Sequence, residues 1–139
     1  MRTLWKCPRC GHRFVTRNLW HSCGRHRVEE HFEGKDPIVR RIYRAFVKRV
    51  RACGPVTIYA QKSRIVCMVA VRFAAASTRK SSFACHLWME RPAEHPSMVK
   101  VETFGPRSVL NHFRFTDPSQ LDDAFGALVA EAYSSHGNI

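Results

Sequence analysis

The sequence predicts an α+β architecture: a small N-terminal module, then a helix, a five-stranded, mainly antiparallel sheet and a C-terminal helix. Cysteines and histidines crowd into the first segment, WKCPRCGHRFVTRNLWHSCGRH. Two later stretches, opening at Asp36-Pro37 and Asp117-Pro118, repeat apolar residues at helical spacing behind a cap-plus-proline start. Between them lie β-branched runs separated by Gly, Pro and polar turns.

In the first segment Cys7 and Cys10 form a Cys-x-x-Cys pair followed by Gly11, a spacing that puts two thiolates on one metal across a tight turn. The second ligand pair has two solutions. His21 with Cys23 gives C-x2-C-x10-H-x-C, and Cys23 with His26 gives C-x2-C-x12-C-x2-H, with His12 and His31 as more distant candidates. Residues 1–31 therefore read as a zinc ribbon. So short a segment buries little apolar surface, and the Zn2+ would supply its folding energy. Four protein ligands leave no position for water, so the metal would be structural.

Residues 32–139 read as an α+β sandwich. From about Asp36 to Ala52, Ile38, Val39, Ile42, Tyr43, Phe46, Val47 and Val50 form one apolar stripe, and Arg40, Arg44, Lys48 and Arg51 line the opposite face. Gly54-Pro55 ends the helix. Val56–Ala60 and Arg64–Phe73 read as a hairpin joined by Gln61-Lys62-Ser63, with the second strand central because Ile65–Val71 is apolar on both faces. Ser77–Ser81 is a basic turn. The strand Ser82–Glu90 puts Phe83, Cys85, Leu87 and Met89 on one face and Ala84, His86 and Trp88 on the other. A loop with two prolines follows, then strands Met98–Phe104 and Val109–Phe115 around Gly105-Pro106-Arg107. Leu121, Ala124, Phe125, Leu128, Val129, Ala132 and Tyr133 give the last helix its stripe. Both helices cover one sheet face, and the other is left partly open.

The formal net charge is +12 and unevenly placed. Residues 1–28 hold seven Lys or Arg and no acid, and residues 35–64 hold nine against Asp36, whereas residues 115–139 hold four acids and no Lys or Arg. Such asymmetry points to a polyanionic partner, and nucleic acid, DNA or RNA, is the first expectation. Phosphates would meet Arg9, Arg13 and Arg17 of the ribbon and Arg40, Arg44, Lys48 and Arg51 of the helix. Trp5, Phe14 or Trp20 could stack on exposed bases. A second expectation is a small-ligand or enzymatic pocket on the open sheet face near His86, Trp88 and His112, with Lys62 and Arg64 as an anion clamp. A third is a protein-binding adaptor. No nucleophile–base pair, phosphate loop or zinc-protease motif occurs at convincing spacing. Cys67 or Cys85 with His86 or His112 comes nearest, and cysteines alternating with apolar neighbours belong to a core. The expectation is a protein without catalysis. The N-terminus carries no apolar signal region, and clustered rather than dispersed cysteines suit a reducing compartment, so a cytoplasmic location is expected.

The runs WKCPRCGHRF, HSCGRH, HFEGKDP, ACGPVTIYAQKSRIV and DDAFGALVAEAY resemble a family of small bacterial proteins catalogued as a domain of unknown function, number five-six-five-five. The likeness covers nearly the whole chain and implies no activity. Its HSCG element favours Cys7, Cys10, His21 and Cys23 as the zinc ligands. More remotely, the region after the ribbon is similar in pattern to frataxin-like iron-chaperone domains.

Overall fold

A computed structural model describes residues 5–6, 13–14, 27–69 and 71–137. Strands β1 (Trp5–Lys6) and β2 (Arg13–Phe14) pair antiparallel, Trp5 opposite Phe14 and Lys6 opposite Arg13. The expected ligands Cys7, Cys10, His21 and Cys23, the alternative His26, and Arg9 and Arg17 lie outside the described residues. Among the described residues no group of three or more His, Cys, Asp or Glu is placed to hold a metal ion. The zinc ribbon is therefore corrected to this two-stranded pair as the observed N-terminal structure. Cys-x-x-Cys spacing specifies ligand chemistry and does not specify strand pairing.

A 3-10 turn at Val28–Phe32 leads into α1 (Pro37–Arg51). Asp36 occupies the cap position, but its carboxylate accepts from Ser81 Oγ at 2.5 Å and pairs with Lys80 Nζ at 3.6 Å, so it ties the helix start to a distant turn rather than capping its amides. The missing N–H of Pro37 leaves one amide fewer to satisfy there. Val39, Ile42, Phe46 and Val50 are fully buried, as the helical spacing requires. Past the helix, Gly54 has φ +140°, and a Cβ built there would stand 2.7 Å from the Tyr133 hydroxyl.

The sheet has six strands, not five: β3 (Thr57–Ala60), β4 (Ile65–Met68), β5 (Arg72–Thr78), β6 (Phe83–Met89), β7 (Met98–Gly105) and β8 (Ser108–Phe115), all antiparallel in the order β3-β4-β5-β6-β8-β7. The difference lies in Arg64–Phe73, expected as one strand. It folds back on itself, with Ile65 opposite Ala76 and Cys67 opposite Ala74, and Val69 N donates to Val71 O in the reversal. An uninterrupted apolar run hid this turn, because β4 is buried at every position and the Val-Ala-Val reversal carries no Gly, Pro, Asn or Asp. Nor is the sheet a simple meander. β8 inserts between β6 and β7, which leaves β7 at the edge.

The start at Asp117-Pro118 also resolves differently. It opens a 3-10 turn, Pro118–Gln120, closed by a capping box between Asp117 and Gln120, and α2 begins only at Asp123 and runs to Gly137. Asp122 starts that helix by accepting from Phe125 N at 2.9 Å. Both helices cover the face bearing Phe83, Cys85, Leu87 and Met89. Phe46 meets Phe83 at 5.5 Å between ring centroids, and Phe125 meets Phe113 and Phe115 at 5.2 and 5.0 Å. Asn111, 0% exposed among these apolar groups, accepts from Ala93 N at 2.9 Å and donates to Arg91 O at 3.1 Å, which fixes the loop between β6 and β7. No helix among the described residues is long and apolar enough to cross a membrane.

Candidate anion-binding trough

The alternation that sends Cys85 and Leu87 toward the helices sends Ala84, His86 and Trp88 to the opposite face. Strand register then assembles that face row by row. Ala75 of β5, His86 of β6 and His112 of β8 stand side by side and reach Lys100 of β7; Ser77, Ala84 and Arg114 form the next row. Small side chains at Ala75, Ser77 and Ala84 leave a depression of about 540 Å³. One wall is the β3–β4 turn with Lys62 and Arg64, the other is Lys100 and Arg114, and Arg79 lies past the end of β5.

The cations of this trough differ in how far they are already neutralised. Lys100 Nζ lies 3.7 Å from Glu102 Oε1, which also accepts from His112 Nε2 at 2.7 Å. That histidine bond, ahead of Lys100, holds the Glu102 carboxyl below its ordinary range. Lys62, Arg64, Arg79 and Arg114 make no ion pair among the described residues. Arg64 Nε donates to Gln61 Oε1 at 2.8 Å, which orders its guanidinium without discharging it. On the floor the rings of His86 and His112 meet edge-on at 5.5 Å between centroids. Burial chiefly, then the neighbouring His112 and Arg64, push His86 down to about 4, so it is neutral at neutral pH. Like charges around a depression repel one another, and a bound anion relieves that repulsion.

The helix cations expected to meet phosphate are not part of this surface. Arg40 pairs with Glu29 at 2.8 Å and lies over the Phe32 ring at 4.7 Å. Arg44, Lys48 and Arg51 are exposed and make no ion pair among the described residues, but α1 packs on the far face of the sheet. Arg13 lies in β2. Of the residues expected around a sheet-face pocket, His86, His112, Lys62 and Arg64 line the trough, whereas Trp88 lies beyond it against Phe104, at 5.4 Å between ring centroids. Arg79, Lys100 and Arg114 were missed. Arg114 was readable, two residues along β8 from His112 and so on the same face; Lys100 depended on the β7–β8 register.

The cysteines offer no nucleophile to these histidines. Cys67 and Cys85 are buried in the helix-side core, where desolvation pushes Cys67 up to about 12 and Cys85 well above its ordinary value. The arrangement is suited to holding an anion, and nothing in it positively indicates an enzyme.

The sequence profile of a domain of unknown function, DUF5655, matches residues 28–136. The chain belongs to this family. Every trough residue of the DUF5655 protein falls within the matched span. No curated protein and no solved structure matches the chain, and the frataxin-like comparison gains no counterpart from them.

Proposed function

We propose that this DUF5655 protein binds nucleic acid, without catalysis, by drawing phosphates into the trough on its open sheet face. One observation carries the reading: Lys62, Arg64, Arg79 and Arg114 surround a depression with no carboxylate in its lining among the described residues. Arg9, Arg13 and Arg17, together with Arg44, Lys48 and Arg51 across the molecule, would add sequence-independent attraction to a polyanion. Cys7, Cys10, His21 and Cys23 would hold one structural Zn2+. The Cys-x-x-Cys spacing of Cys7 and Cys10 supports that part. The free Cys53, Cys67 and Cys85 suit a reducing cytoplasm.

The test compares two triple variants in salt-dependent binding titrations on duplex and single-stranded DNA and RNA. Lys62→Ala/Arg64→Ala/Arg114→Ala should reduce the slope of log K against log salt by about two to three, at close to one unit per lost phosphate contact. Arg44→Ala/Lys48→Ala/Arg51→Ala should change it less. Loss confined to the helix variant would move the site to α1, and no binding by the wild type at low salt would overturn the reading. A small phosphorylated ligand is the second reading, favoured by a concavity of about 540 Å³, within the ordinary size of small-molecule sites. Pyrophosphate binding to a wild type that binds no nucleic acid would select it.

A further inference from the structure

We infer that the nucleic acid held by this face is single-stranded, with its phosphates in the trough and an unpaired base stacked on Phe104. The inference rests on the nucleic-acid reading above. Phe104 is 61% exposed, the most exposed of the large hydrophobic side chains among the described residues, and its ring meets Trp88. Trp88 lies two residues along β6 from His86, about 7 Å farther along the same face. The trough is walled at its sides by the β3–β4 turn and by β7–β8, so it opens along the strands. In one direction that path reaches Arg79, and in the other the Trp88–Phe104 pair with Arg107 in the turn beyond.

Cations and an exposed aromatic ring on one surface are what an unpaired strand needs, and the Glu102 carboxylate that stands between Lys100 and Phe104 is already engaged by His112 and Lys100. The nucleic-acid backbone is neutralised while a free base face stacks on the ring. A duplex has no use for Phe104, because its base faces are already stacked on one another, and it would engage the cations alone. Val99 and Val101 of the same edge strand are also exposed, at 60% and 42%, so Phe104 belongs to a strand that turns apolar side chains to solvent.

Fluorescence anisotropy with labelled oligo-dT, oligo-rU and a DNA duplex decides it. Phe104→Ala should weaken binding to either single strand by about 10-fold and duplex binding by less than about 2-fold, and Phe104→Trp should restore the single-strand affinity. Circular dichroism should be unchanged, because the side chain is exposed. If Phe104→Ala binds both oligonucleotides as tightly as wild type while the trough variant loses affinity, the single-strand inference falls and the nucleic-acid reading stands. Equal losses on duplex and single strands also overturn it. If wild type binds none of the three, both fall.

Discussion

The His86 ring meets His112 edge-on at 5.5 Å, and the Glu102 carboxylate accepts from His112 at 2.7 Å. The two histidines at the centre of the open face are therefore unequal: one has an anionic partner, the other is desolvated beside a cationic neighbourhood. His86 is held down to about 4 against an ordinary 6.5, so the unfolded chain binds a proton between those values that the folded chain does not. Stability then falls as pH drops from near 6.5 toward 4. Allowing for partial exposure, the loss should be about 1–3 kcal/mol. Urea titrations at neutral and acid pH should show it in wild type and a flatter profile in His86→Gln. Identical profiles would show that His86 does not titrate as described.

Asn111 should prove a structural residue despite its place beside the trough histidine. Asn111→Ala strands the buried Ala93 amide, removes the half-buried bond to the Arg91 carbonyl and should cost about 1–3 kcal/mol by urea denaturation. Anion binding, measured where the variant is folded, should be retained.

Thiol labelling should follow burial. Cys67 and Cys85 are shielded and their thiols are pushed up, so they should react with a thiol reagent only on global unfolding. Cys53 is half-buried, and its Sγ bonds to Arg49 O at 3.5 Å, so it should label first and still slowly. Fast labelling of Cys85 in the native protein would contradict its burial.

Metal analysis should return about one zinc per chain, lost in His21→Ala and kept in His26→Ala. Chelation should leave the circular dichroism of the β3–β8 sheet and both helices essentially unchanged. Loss of zinc from His26→Ala instead would exchange the fourth ligand, and a metal-free native protein would remove the proposal.

Amphipathic elements were legible in the sequence, and pairing was not. Ile42, Phe46 and Val50 repeat at a spacing that only a helix turns into one face, and Phe83 to Met89 alternate cleanly, so α1 and the two faces of β6 could be assigned from local order. The split of β4 from β5 was hidden because a strand buried on both faces has no alternation to lose. The trough was half visible. Lys62, Arg64, His86 and His112 announced themselves by position in a turn or on a polar face. Joining them to Lys100 and Arg114 required the β6–β8–β7 order, which is set by long-range packing.

That strand order also dictates when the site can exist. Hairpin β7–β8 supplies His112, Arg114 and Lys100 and must dock as a unit on β6, because β7 has no partner until β8 has formed. During synthesis β6 therefore waits with an open edge while the 26 residues from its end at Met89 to the end of β8 at Phe115 emerge, roughly one to several seconds at ordinary elongation rates. The waiting strand exposes Phe83, Cys85 and Leu87 on one side and unpaired amides along its edge, the features that make a nascent chain prone to wrong pairing. Ribosome-bound fragments ending before Phe115 should thus be the aggregation-sensitive species, and the anion site should be among the last features of the domain to form.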